Sequence, residues 1–119
     1  MSRRLCFVDD AGGALASLGA GVARALGHAD ALATTTTAPG PPRAEVRAVL
    51  EEIGGAPAEV EPLAAVPLEA VEHVRLGRGA AWDVWLYEGE GDLERASAAR
   101  IARDRIERRL DPRPVPRRT

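Results

Sequence analysis

The stretch FVDDAGGALASLGAGVARAL (7–26) constrains the fold of this chain more than any other. A compact apolar run, RLCFV, reads as a buried strand. It ends on Asp9 and Asp10, passes through Gly12 and Gly13, and enters a segment with Leu15, Leu18, Val22 and Leu26 at helical spacing. A strand turning into a helix through paired glycines is the layout of an anion-binding loop, because free loop amides and a helix N-terminus aim at one point. Two aspartates in such a loop are therefore a contradiction that the function has to resolve.

The same alternation continues along the chain. Gly19 and Gly21 lie inside the first helical segment, where each costs up to about 1 kcal/mol of helix propensity; glycines there suit a helix pressed against a sheet. Gly27 stops it. ADALATTTT (29–37) reads as a second strand and APGPP (38–42) as a stiff loop. Val46, Val49, Leu50 and Ile53 then mark a helix over 43–53, opened by Pro42 and closed by Gly54 and Gly55. Prolines 57, 62 and 67 interrupt the next part. It reads as a short strand near 59–62, a helical turn near 68–71 and a strand near 73–76. AWDVWLYEG (81–89) is apolar on both faces and reads as a central strand. Asp92 is the expected N-cap of a long helix over 93–110, with Ala98, Ala102, Ile106 and Leu110 on its core side. Strands alternating with helices predict an α/β fold: a three-layer α/β/α sandwich on a parallel sheet of about four strands. Its site should lie beyond the carboxyl ends of the strands, where the Asp9 loop sits.

At 119 residues the chain is one domain, expected over 1–110, with a flexible basic tail at 111–119. No apolar run approaches the ~20 residues of a membrane helix, and the first residues do not read as a signal peptide, so no membrane is expected and the location expected is cytoplasmic. The single cysteine, Cys6, can form neither an internal disulfide nor a thiolate metal cluster. His28 and His73 stand alone in the sequence. No metal and no cofactor is expected.

All 16 basic residues are arginine. They are unevenly spread: 45–94 holds 12 acids against 3 arginines, and 95–119 holds 9 arginines against 3 acids. In the last helix Arg100–Asp104, Arg103–Glu107 and Asp104–Arg108 fall at i,i+4, and no aromatic residue interleaves them. That pattern describes a solvated helix face and disfavours nucleic acid as a partner. Trp82, Trp85 and Tyr87 are three of the four aromatic residues. They fill the sheet's two cores, or else Trp85 and Tyr87 form a partner-binding rim at the end of their strand. A protein partner or a second copy of the chain is the partner expected there.

RLCFVDDAGGALAS, ALATTTTAPGPP and RAEVRAVLEEIGG, followed late in the chain by WDVWLYEGEGDLERA and an arginine-rich helix, resemble in order the low-molecular-weight protein tyrosine phosphatase superfamily, which includes arsenate reductases. In that family the first strand enters a Cys-x5-Arg-Ser loop, and an Asp-Pro pair after the last strand supplies the general acid. The resemblance places Asp9 where the nucleophilic cysteine stands, Leu15 where the arginine stands and Ala16 where the serine stands. The acid's position holds Trp85, Leu86 and Tyr87, and the chain's Asp-Pro pair, Asp111-Pro112, comes after the last helix. Cys6 comes three residues early.

The reaction of that family uses a thiolate held by loop amides, a bidentate arginine on the oxyanion and an acid for the leaving group. None of the three is found at its position. Residues Asp9, Asp10, Ala11, Gly12, Gly13, Ala14 and Leu15 then form a vestigial anion loop in which a carboxylate replaces the ligand. The reading is a pseudo-phosphatase with no catalytic residues, acting as a binding or regulatory module. The alternative is an active phosphatase or arsenate-reductase-like enzyme using non-standard residues. The Asp9-Asp10 pair also resembles the acidic pocket of receiver domains, but those need a later lysine, which this chain lacks. Locally, both aspartates can simply cap the following helix.

Overall fold

A computed structural model describes residues 4–67, 69 and 71–111. Five strands run parallel: β1 (Arg4–Asp9), β2 (Leu32–Thr35), β3 (Val60–Glu61), β4 (Val71–Gly77) and β5 (Trp82–Asp83). Their order is β3-β2-β1-β4-β5, so β1 is central. Three α-helices follow β1, β2 and β5: α1 (Ala14–Ala25), α2 (Ala44–Glu51) and α3 (Asp92–Leu110). The parallel α/β fold read from the sequence is the fold of the chain, with one strand more than counted.

Alternation along β1 divides the core. Leu5 and Phe7 join the larger cluster, built with all three helices, while Cys6 and Val8 join a smaller one with Val66 and Val71. The handedness of parallel crossovers accounts for this unequal split. From β1 to β3 the chain steps one way across the sheet, which puts α1 and α2 on one face. From β3 to β4 it steps back, which sends that connection to the other face. Pro62 and Pro67 lie in this crossover, and among its described residues the helical part is a short 3-10 turn at Leu63–Ala65. The third layer is therefore thin. The helical turn expected at 68–71 includes Leu68 and Ala70, outside the described residues, and Val71 already belongs to β4. Beyond Asp111, the expected tail is likewise outside them.

Helix α1 is buried continuously from Leu15 to Ala23. A Cβ on Gly19 would lie 2.7 Å from Phe7 of β1, and one on Gly21 would lie 2.7 Å from the Ala56 carbonyl. These glycines thus let the helix sit directly on the sheet and on the loop before β3. Leu26 lies outside the core at 38% exposure.

Two expectations need correction. Residues 81–89 are not a central strand. Only Trp82 and Asp83 pair, with β4 alone, at the edge of the sheet. The run is apolar on both sides for another reason: Val84 and Leu86 enter the core, and Trp85 is covered by the guanidinium groups of Arg78 and Arg105 at 4.5 and 5.4 Å. In α3 the buried residues are Ala99, Ala102, Arg103 and Ile106, and Asp92 is the first helical residue rather than the cap. The ion pairs of Arg100 and Arg103 run to Glu52 beyond α2, at 2.5 Å each. The buried Arg103 also donates to the Val49 carbonyl and to its neighbour Asp104.

Candidate functional site

The carboxyl ends of β1, β2 and β4 converge on the loop 10–13. Asp9, the last residue of β1, is 1% exposed. Its Oδ1 accepts the backbone N–H of Ala11 at 3.0 Å and of Gly13 at 2.9 Å, and its Oδ2 accepts that of Ala16 at 2.8 Å. Gly13 is the N-cap of α1 and carries no side chain, so Asp9 caps the helix from the preceding strand. Gly12 and Gly13 have φ of +84° and +96°, a left-handed backbone that glycine adopts at no steric cost, and with it the Gly13 N–H reaches Asp9. In this chain the loop's donors converge on a carboxylate of the chain itself.

Threonines at the end of β2 fix the loop from the side. The Asp9 carbonyl accepts the Thr36 N–H at 2.9 Å and the Thr35 hydroxyl at 3.1 Å. Gly12 donates its N–H to Thr37 Oγ1 at 2.8 Å, and its carbonyl accepts the Gly40 N–H at 2.8 Å. Asp10 turns the other way. It is exposed, accepts the Thr36 hydroxyl at 2.5 Å, and lies 3.5 Å from Arg75 of β4.

Leu15 and Ala16 are buried, at 5% and 0% exposure, in the core between α1 and the sheet. Cys6 is fully buried on the opposite face of β1 from Phe7, and burial pushes its thiol up from the usual range.

Two cavities flank the loop. One, of about 450 Å³, lies between Gly12, Gly13, Ala14 and the segments carrying Gly40, Arg43, Arg47 and Val60. The other, of about 480 Å³, is lined by Asp10, Ala11, Ala14 and Leu15 on one side and by Arg43, Arg75, Arg78, Trp85 and Glu88 on the other. Arg43 faces both cavities and is fixed at the start of α2. It bonds Glu45 at 2.7 Å, Glu88 at 3.3 Å and the Tyr87 carbonyl. Burial pushes the Glu45 carboxyl up, but hydrogen bonds from Arg43 and from its own backbone outweigh this and hold it below the usual range.

Of the residues singled out in the sequence, the structure brings Asp10, Ala11, Ala14, Leu15 and Trp85 around one cavity, and Gly12 and Gly13 to the other. Tyr87 is 40% exposed and lines neither; its backbone carbonyl, not its ring, touches the site. Sequence reading missed Arg43, Arg75 and Arg78. Arg75 and Arg78 come from the end of β4 and Arg43 from the start of α2, and no local spacing joins the two places. Among the described residues no group of three His, Cys, Asp or Glu side chains is placed to hold a metal ion, and no helix is long and apolar enough to cross a membrane.

The architecture has a solved counterpart. The chain superposes with a TM-score of 0.68 on an arsenate reductase described as being in the phosphate binding state, over 93% of this chain and 95% of that one, at 16% identity. The chain has an arsenate reductase fold. At that identity the likeness is one of fold, and it agrees with the resemblance read from the sequence. No protein-family model matches the sequence, and no curated protein matches it.

Proposed function

We propose that this protein is a non-catalytic binding or regulatory module built on the fold of the low-molecular-weight phosphatases and arsenate reductases. One observation carries the reading: the Asp9 carboxylate accepts three of the amides that close the loop around β1 and α1. An oxyanion entering there would meet a buried carboxylate instead of free donors. The position of the family's arginine holds Leu15, which is packed into the core and offers no hydrogen bond. The one cysteine is buried on another part of β1. Such a protein acts by what it binds. The rim beside Trp85 and Tyr87 is where a protein partner or a second copy would rest, and a lone buried thiol suits a reducing compartment such as the cytoplasm.

The test is a direct assay. Purified full-length protein should neither hydrolyse p-nitrophenyl phosphate nor reduce arsenate above the uncatalysed rate. Turnover that disappears in a folded Asp9→Ala variant would overturn the reading and make Asp9 a working group.

A further inference from the structure

We propose that the 480 Å³ cavity beside the loop is a binding site for a small organic anion with an apolar body, held by Arg75 and Arg78 instead of by the loop amides. The inference builds on the reading of the protein as a non-catalytic binding module.

The cavity is of ordinary ligand size and combines an apolar wall from Leu15, Leu76, Trp85 and Leu86 with charged groups. Three guanidinium groups and two carboxylates line it. Both carboxylates are already engaged. Glu88 takes Arg43, at 3.3 Å. Asp10 takes the Thr36 hydroxyl at 2.5 Å and only a long contact, 3.5 Å, from Arg75. A guanidinium has five N–H donors, so Arg75 spends little of its capacity on this contact. Arg78 spends none: among the described residues no carboxylate pairs with it. It lies 4.5 Å over the ring of Trp85 instead. A cation held over a ring face needs no carboxylate partner there, so the N–H donors of Arg78 remain for an anion. Arg105 lies on the same ring at 5.4 Å and adds positive charge behind it. Leu76 and Leu86 give the floor that an apolar body would cover.

A lone oxyanion would leave most of this volume and the apolar floor unused. A phosphonate or carboxylate on an aromatic ring satisfies both halves. The site also predicts its own antagonist: Asp10 competes with the ligand for Arg75, so removing its charge should strengthen binding.

Calorimetric titration of the full chain with phenylphosphonate and with inorganic phosphate tests this. Phenylphosphonate should bind more tightly than phosphate. Arg78→Ala and Arg75→Ala should each weaken it by about tenfold, the loss expected for a charge-assisted contact, and Asp10→Asn should tighten it severalfold. Both arginines are on the surface, so thermal melts should show these variants folded. Absence of phenylphosphonate binding, equal affinity for the two anions, or affinity unmoved by Arg78→Ala would overturn the site. Hydrolysis of an aryl phosphate alongside Arg78-dependent phenylphosphonate binding would remove the non-catalytic reading and support the site. Lack of both hydrolysis and binding would do the reverse.

Discussion

The Oδ1 of Asp9 accepts the N–H of Gly13 at 2.9 Å, and Gly13 holds that N–H inward with a φ of +96°. The two residues depend on each other. The left-handed backbone supplies the donor, and the carboxylate is what makes that conformation worth keeping. Removing the carboxylate leaves three N–H groups in a closed turn without a partner. Each such loss costs about 1–3 kcal/mol, and the losses overlap because the turn can relax. Asp9→Ala should therefore lower the unfolding free energy by about 3–5 kcal/mol, measured by urea denaturation. Asp9→Asn keeps one acceptor but sets an amide NH₂ against a backbone donor, and should fall in between. A change below about 0.5 kcal/mol for Asp9→Ala would mean that the network does not hold the loop.

The second prediction concerns how closely α1 lies on its neighbours. A methyl group on Gly21 would come within 2.7 Å of the Ala56 carbonyl and 2.8 Å of Leu50 Cδ1. Alanine gains up to about 1 kcal/mol of helix propensity over glycine, but overpacking against backbone typically costs about 1–3 kcal/mol. Packing should win, so Gly21→Ala is expected to be destabilising in the same denaturation assay. A stabilised variant would show that the loop before β3 gives way freely.

Much of this was legible in the sequence, and the boundary between what was and what was not has a physical basis. The strand–loop–helix of Leu5 to Val22 was legible because its signals are local: an apolar run, two glycines, then helical spacing. That a loop carboxylate stands in for the anion followed from the resemblance, which sets Asp9 at the nucleophile's place; that Asp10 turns away to Thr36 and Arg75 did not. The edge position of Trp82 and Asp83 was not legible, because apolar residues on both sides of a strand look the same whether sheet layers or stacked arginines cover them. Arg103 was hidden for a related reason. An arginine in a charged helix reads as solvated, and only the tertiary contact with Val49 and Glu52 buries it. Of the cavity arginines, Arg43 stands 32 residues before Arg75 and 35 before Arg78, and topology alone brings it to them. Leu15 shows how far alignment by position can be carried. It takes the place of an arginine in the resemblance, yet its side chain is 5% exposed in the core cluster, so Leu15→Arg would bury a charge.

The Glu52 junction between α2 and α3 yields a pH prediction. Hydrogen bonds from Arg100 and then Arg103 hold the Glu52 carboxyl at about 2, against an ordinary 4.5. A folded-state pKa below the unfolded value means the stabilisation is complete above about 4.5 and disappears as pH falls towards 2. The side chain is 42% exposed, so solvent limits the contribution to about 1 kcal/mol or less. Glu52→Gln should therefore be less stable than the parent at pH 7, and the gap should narrow steadily in melts taken from about pH 5 down to about pH 3. A gap that stays constant over that range would assign the effect to packing rather than to charge.

The last prediction concerns what the loop can accept once its own ligand is gone. Asp9→Ala leaves the N–H groups of Ala11, Gly13 and Ala16 aimed at a space the size of a carboxylate, at the N-terminus of α1. Formate is a carboxylate small enough to enter that space without a tether. It should bind the folded variant and not the unfolded chain, and so raise the melting temperature as its concentration rises; a ligand at a hundred times its Kd contributes about 2.7 kcal/mol. The parent, whose loop is already filled by Asp9, should gain no such stabilisation beyond the effect of the same ionic strength of chloride. Phosphate should rescue the variant less well than formate, because the space is shaped by a planar group and Leu15 supplies no counter-charge. Equal response of parent and variant to formate would mean that the amides are not an anion site waiting behind Asp9, and that the turn simply collapses when the carboxylate is removed.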